Sequence, residues 1–402
     1  MNDGINIYYT LNFKNTEIMP TILPDQNVKK VAVASKSQFI DAYTSHKLAV
    51  LSFICSLAVI LLHSYNWRFN ADSNLTVDFF IENIFSNGLC RMAVPFFFFR
   101  AGYLFFINVP EKFDWQWFKK KFQTRFFSIF VPFVLWCILG FIIDTPWKIL
   151  LSVRHNTNYV FFLNQSSPLI TIFKAVFLGI GHDPLVHLWF LRRLMLFVLL
   201  SPIVLLLVRT LRLTVFLVVS IILVCAVKIF DIQWLGYING DMFSFLFGSA
   251  LAINRIRLNN SNRITPGLTC FLLWVMFVIF LFLSCRHINY PTFLHYLLIQ
   301  IRNFWGIFAV WMVYDSLKAV ARKYNLRCNF FPNELISLSF FIYCCHIPVL
   351  GIIEFVFALK APFEIIRYFG TFSVTTIYAI SLGWFLCKFF PKLYSILSGA
   401  RS

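Results

Sequence analysis

Charge is scarce in this sequence. Only 13% of its 402 residues are Asp, Glu, Lys or Arg, about half the share of a soluble domain, and that shortage excludes an ordinary soluble protein. Acids are the scarcer sign, 17 against 35 Lys and Arg. Metal-ligand spacing is missing as well. Cys55, Cys90, Cys137, Cys225, Cys270, Cys344, Cys345 and Cys387 fall in apolar runs without a C-x2-C pair. They read as small buried hydrophobes, so no metal site and no disulfide framework is expected. Residues 1–46 lack the short basic start and apolar core of a signal peptide. Inverted halves of the transporter kind are not visible, and no stretch is left over for a separate folded domain. The expected organisation is a polar tail over 1–46, a membrane domain over 47–392 and a short tail over 393–402.

Apolar residues are abundant instead, at 59%. An α-helix needs about 20 of them to cross the hydrocarbon core, and several runs approach or exceed that length. The fold class expected is an all-α integral membrane bundle of about ten transmembrane helices. Their approximate bounds are 47–66, 84–107, 126–144, 186–207, 213–230, 233–253, 265–285, 293–318, 335–357 and 368–388. The net charge of +18 is spread through short connections, where it suits membrane lipid headgroups rather than nucleic acid. One set of connections is rich in basic residues: Lys112, Lys119, Lys120, Lys121 and Arg125, then Arg209 and Arg212, then Arg255, Arg257 and Arg263. It continues through Lys318, Arg322, Lys323 and Arg327 to Lys388, Lys392 and Arg401, and the N-terminal tail adds Lys14, Lys29, Lys30, Lys36 and Lys47. The opposite set has only Arg68, Lys148, Arg154, Lys174, Arg286, Lys360 and Arg367. Strict alternation over ten spans with the positive-inside rule puts both termini in the cytoplasm, and a multi-pass protein of the cell (cytoplasmic or inner) membrane is expected. The longest outer connection, 145–185, holds a second apolar stretch at 169–181 that is too short to cross.

Ionisable residues inside a bilayer are costly, so each is a functional-site candidate. His63 ends the first span, and Arg91 lies in the outer third of the second. His187 and Trp189 open the fourth, with Arg192 and Arg193 a turn deeper. Asp241 is in the sixth span, Arg302 in the eighth and His346 midway along the ninth, with Glu354 two turns on. Several cations at one depth with few acids suit an anionic or strongly polar ligand. The plainer readings are packing for a lone histidine and headgroup snorkelling for Arg192 or Arg193. Arg68 and Arg286 read as solvated loop charges, and most of Phe96 to Phe99 as lipid-facing bulk.

Five stretches, in order across residues 48–346, resemble the acyltransferase-3 family of membrane O-acyltransferases. Ile54 to His63 is similar to the family's opening helix, which ends in an outer histidine. Arg91-Met-Ala-Val-Pro95, followed by phenylalanines and Gly102-Tyr103, resembles its arginine–valine–proline run. Arg125 before Pro132-Phe133, His187-Leu-Trp189-Phe-Leu191, and Ser339 to His346 with Tyr343 complete the series. The resemblance implies transfer of an acyl group, usually acetyl from acetyl-CoA, to a hydroxyl of a sugar or glycan in the cell envelope. His63 is then the essential histidine, a general base or acyl relay, with Arg91 and Arg100 beside it as catalytic candidates. His187, Trp189, Arg192, Arg302, Tyr343 and His346 are candidates for substrate binding. Lys121 and Arg125 are expected to bind the phosphates of the donor. No permanently bound cofactor is expected, with acetyl-CoA or another acyl-CoA as donor substrate, a carbohydrate as acceptor, and a separate extracytoplasmic transferase partner as an option.

Two positions depart from the family. The arginine it commonly carries eleven residues before the histidine is here Ser52. The apolar residue two before the glycine is here Arg100, with Ala101 in place of serine. Ser52 and Arg100 lie at similar distances from the inner ends of antiparallel helices, so Arg100 is expected to supply the missing guanidinium. The alternatives are a transporter or flippase of an anionic lipid-linked sugar, and an acyltransferase-like protein without activity.

Overall fold

In the computed structural model the described residues are 40–65, 76–155, 170, 174–178, 186–230, 239–258, 263–326, 330–360 and 363–400. Among these there is helix and no strand. The helices are α1 (Ala42–His63), α2 (Val77–Glu82), α3 (Ala93–Phe106), α4 (Trp115–Arg125), α5 (Val131–His155), α6 (Trp189–Leu199), α7 (Ser201–Thr210) and α8 (Leu213–Ile229). They continue as α9 (Gly240–Ile253), α10 (Ile264–His287), α11 (Thr292–Lys323), α12 (Asn333–Ser337), α13 (Ser339–Lys360), α14 (Glu364–Phe389) and α15 (Pro391–Leu397). Asp41 caps α1 through the Thr44 amide, and Asn239 caps α9 through the amides of Asp241 and Met242.

Six helical segments among the described residues are long and apolar enough to cross a membrane, and eight if each of two bent pairs is one span. The bent pairs are α6–α7, at 56°, and the two halves of α13, at 58°. Pro202 opens α7 and Pro348 sits at the α13 break, and proline has no N–H for the helical ladder. The other two expected spans fall on α8 and α9, of 17 and 14 residues, short for a straight crossing. The protein is a multi-pass helical membrane protein. Leu272, Met276 and Phe280, at four-residue spacing on α10, are exposed, which gives that helix an apolar outer face suited to lipid. The connection expected at 145–185 is shorter than the sequence suggests, because α5 runs on to His155. Most of the remainder, including most of 169–181, lies outside the described residues.

At the centre stands α3. Phe96 and Phe98 are fully buried and Phe99 nearly so, which corrects the expectation that they face lipid. Helices α1 and α9 pack along α3 and leave these rings no membrane face. Phe98 packs on Phe190 with ring centroids 4.6 Å apart and on Phe197 at 5.3 Å. Glycine makes the α3–α9 contact possible. A Cβ on Gly102 would lie 2.2 Å from the Phe245 carbonyl oxygen, and one on Gly248 would lie 2.1 Å from that of Phe99. The two backbones therefore touch directly, as small residues allow in membrane helices.

The starting end of α1 is tied to α11 by a buried ion pair. Lys47 Nζ lies 2.7 Å from Asp315 Oδ1, with both side chains at or below 1% exposure. Tyr43 donates to the same oxygen at 2.8 Å, and the Lys47 ammonium sits 3.7 Å from the centroid of the Trp311 ring. Lys47 therefore belongs to the bundle interior rather than to the positive charge of the N-terminal tail. At the other end of the chain, Trp136 Nε1 donates to the Leu397 carbonyl at 3.0 Å, so α15 packs against α5.

Breaking a buried pair is costly, while replacing both partners by apolar groups is near neutral. Asp315→Leu alone is expected to lose about 3–5 kcal/mol, and Lys47→Met with Asp315→Leu to recover most of it. Thermal unfolding of the purified protein in detergent measures both.

Candidate active site

Three histidines from separate parts of the chain meet in the bundle. His63 is the last residue of α1, His187 lies in a tight turn, Val186–Leu188, just before α6, and His346 lies on α13. The His63 and His346 ring centroids are 5.5 Å apart, and those of His187 and His346 are 4.7 Å apart. His346 and His187 are buried, at 0% and 1% exposure, whereas His63 keeps a partly accessible surface.

The backbone sets how these rings are held. Pro348 has no N–H to donate to the carbonyl four residues back, that of Cys344. His187 Nε2 fills that role at 3.0 Å. A carbonyl only accepts, so Nε2 carries the proton and Nδ1 keeps a lone pair. By the same reasoning, His346 Nδ1 donates to the Tyr343 carbonyl at 2.8 Å and leaves the Nε2 lone pair. Both of these nitrogens, His187 Nδ1 and His346 Nε2, are buried without a hydrogen-bond partner. Tyr343 closes the arrangement by donating its hydroxyl to the His187 carbonyl.

A cavity of about 400 Å³ lies beside this cluster, towards the starting end of α1. Tyr343 lines it, together with Ser52, Ser56, Arg100 and Arg125. Ser52 and Arg100 thus face the same space, as the antiparallel register of α1 and α3 predicts. The Arg100 Nε is buried with no partner. Lys121, by contrast, is not among the lining residues. Its ammonium sits over the rings of Trp117, at 5.1 Å, and Phe105, at 5.8 Å, and the Phe105 ring stands on the cavity wall.

A second cavity, of about 450 Å³, opens at the His63 end between the α2–α3 segment and the α10–α11 pair. Arg91 and Arg302 line it, with Asn83, Asn87, Arg286 and Asn303. Arg91 is within electrostatic reach of both His63 and Arg302. Its position follows from local geometry. Asn83–Gly88 is a wide helical turn and Leu89–Met92 a tight one, and wide turns of this kind are frequent at functional sites. Asn83, Asn87 and Arg91 succeed one another at four-residue spacing. Asn87 Nδ2 donates to Asn83 Oδ1 at 2.9 Å, and Arg91 Nη2 donates to Asn87 Oδ1 at 2.8 Å. Arg302 donates through Nε and Nη2 to Asn303 Oδ1, at 3.1 and 2.9 Å.

The remaining candidates stand apart. Arg192 donates to the Val176 carbonyl at 3.0 Å, and Arg193 pairs with Asp241 at 3.2 Å while its guanidinium lies 4.6 Å from the Trp189 ring. These contacts hold the start of α6 rather than leaving either arginine to snorkel. Arg286, expected as a loop charge, is in the last turn of α10, with its guanidinium 5.3 Å from the Phe79 ring. Arg68 lies outside the described residues. The asparagines 83, 87 and 303 were not singled out in the sequence. Only the four-residue spacing of Asn83, Asn87 and Arg91 offered a signal.

The histidine cluster thus stands between a cavity lined by Arg100 and Arg125 and another lined by Arg91 and Arg302. The acyltransferase domain family, acyltransferase-3, matches residues 46–386, and the chain belongs to that family. Comparison with curated proteins and with solved structures finds no match.

Pro348→Ala restores an N–H that competes with His187 for the Cys344 carbonyl, and α13 is expected to straighten. At 1.5 Å rise per residue, removing the bend lengthens the helix by about 4 Å. Spin labels at Ser339 and Lys360, the two ends of α13, read that distance, and an unchanged value would show that packing, not proline, imposes the bend.

Proposed function

We propose that this membrane acyltransferase moves an acetyl group from acetyl-CoA to a hydroxyl of a carbohydrate acceptor of the cell envelope. The observation that carries it is the meeting of His63, His187 and His346 between two cation-lined cavities. In this account the donor enters from the cytoplasmic side, where Arg125 and Arg100 hold its phosphates, and the acceptor approaches His63 from the opposite face. Guanidinium groups suit phosphate because they present several donors in a fixed fork. Arg100 takes the place of the arginine absent at Ser52.

His63 acts as general base, since a neutral imidazole carries a lone pair that accepts a proton. It takes the hydroxyl proton while the acceptor oxygen attacks the thioester carbonyl. The new C–O bond forms as the C–S bond breaks, and the proton passes to the departing thiolate to give free CoA. His346 and His187 are positioning residues, oriented by the Tyr343 and Cys344 carbonyls, and they surround His63 with lone pairs rather than cations.

Labelled acetyl transfer to envelope glycans, at matched expression, tests this. His63→Ala is expected to lose about 10²–10⁴-fold in rate. Arg100→Ala is expected to raise KM for the donor by roughly tenfold to a hundredfold, the worth of one hydrogen bond to a charged group. Transfer that survives His63→Ala would sink the proposal. Movement of a lipid-linked sugar across vesicles without transfer would favour transport.

A further inference from the structure

The cavity at the His63 end has a charge pattern that catalysis alone does not require. Three guanidinium groups, Arg91, Arg286 and Arg302, line it, and no carboxylate is among the described residues on its wall. Cations within the membrane-spanning part of a protein normally pair with acids. Here the side-chain groups that receive the Arg91 and Arg302 hydrogen bonds are neutral amides, Asn87 and Asn303. Amides of this kind orient a guanidinium without neutralising it, and they leave further N–H donors for a ligand.

The scaffold beneath these groups is built rather than incidental. Asn83, Asn87 and Arg91 form a hydrogen-bonded ladder along one helix face, and Asn83 Nδ2 is itself anchored on the Phe79 carbonyl at 2.9 Å. On the facing side, Trp274 Nε1 donates to the Arg302 carbonyl at 2.8 Å and ties α10 to α11 beside the cavity. Gly88 lets the two walls approach, since a Cβ there would lie 2.4 Å from Val278 Cγ1. The volume of about 450 Å³ falls within the range of small-molecule sites, about 300–1,000 Å³. The Phe79 and Phe282 rings on its wall, 6.0 Å apart, suit the C–H face of a sugar.

We propose that this cavity binds the anionic group of the acceptor, a phosphate or a carboxylate, so that the hydroxyl to be acylated belongs to an acidic sugar. Arg91 and Arg302 clamp the anion, Arg286 attracts it at the edge, and Arg91 sets its distance from His63. This rests on the acyl-transfer reading for what happens to the hydroxyl, but binding of the anion is separable from transfer.

The test is equilibrium binding to the full chain in nanodiscs of zwitterionic phosphatidylcholine, with glucose 1-phosphate, glucuronate and uncharged glucose as probes. At least one anionic sugar is expected to bind about tenfold or more tightly than glucose, with the preference lost in Arg302→Gln and largely kept in Arg302→Lys. Doping the discs with phosphatidylglycerol distinguishes the source of the anion. If the site takes a lipid phosphate, the doped lipid competes with the sugar, or is the only anion retained by wild type and lost from Arg302→Gln. Equal binding of glucose and both anions with no lipid effect would overturn the proposal, as would anion binding unchanged in Arg302→Gln and Arg91→Gln. His63→Ala is expected to bind the anion normally while failing to transfer. If wild type binds the anion but transfers nothing, acyl transfer fails and the site stands.

Discussion

The carbonyl of Cys344 is the point on which this arrangement turns. Inside a bilayer bundle a polar backbone group has no water to fall back on and must find a partner in the protein. Pro348 has no N–H for that carbonyl, and His187 supplies one from a distant part of the chain. The same break bends α13 by 58° and sets His346 at the bend, facing the end of α1. One missing N–H therefore fixes a helix bend, a histidine tautomer and the meeting of three imidazoles.

The two cavities follow from how α1 and α3 run past each other. Along α1, Ser52 and Ser56 line one cavity, and His63 lies seven to eleven residues further, about 10–16 Å at the helical rise. On α3 and the turn before it, Arg91 lines the other cavity and Arg100 the first. The close approach of Gly102 to the Phe245 carbonyl and of Gly248 to the Phe99 carbonyl holds α3 against α9 and so fixes the depth of Arg100. At the starting end of α1, the Lys47–Asp315 pair anchors the helix against α11, well away from the histidines.

Much of this was legible in the sequence because membrane helices are written in long apolar runs. Among the described residues each of the ten expected runs falls on helix, although six to eight segments are long and apolar enough to cross, and His63, His187 and His346 were chosen because ionisable groups are rare there. Of the expected run 233–253, residues 233–238 lie outside the described residues, and the close α3–α9 contact was not legible because it depends on two glycines far apart in the chain. The burial of Phe96 to Phe99 was missed because an apolar ring reads alike whether it faces lipid or protein. Lys47 was taken for a tail charge because its partner Asp315 lies 268 residues away. Asn83, Asn87 and Asn303 carry no charge, so a search for costly ions passed over the residues that orient Arg91 and Arg302.

The central claim is that donor and acceptor reach the histidine cluster from opposite faces. Proteoliposomes of known orientation, with labelled acetyl-CoA confined to one side and a saccharide acceptor to the other, test it most directly. The account predicts label on the acceptor only when the donor is on the side of Arg125 and the acceptor on the side of Arg91, with none for His63→Ala. Transfer that requires both substrates on one side would contradict it.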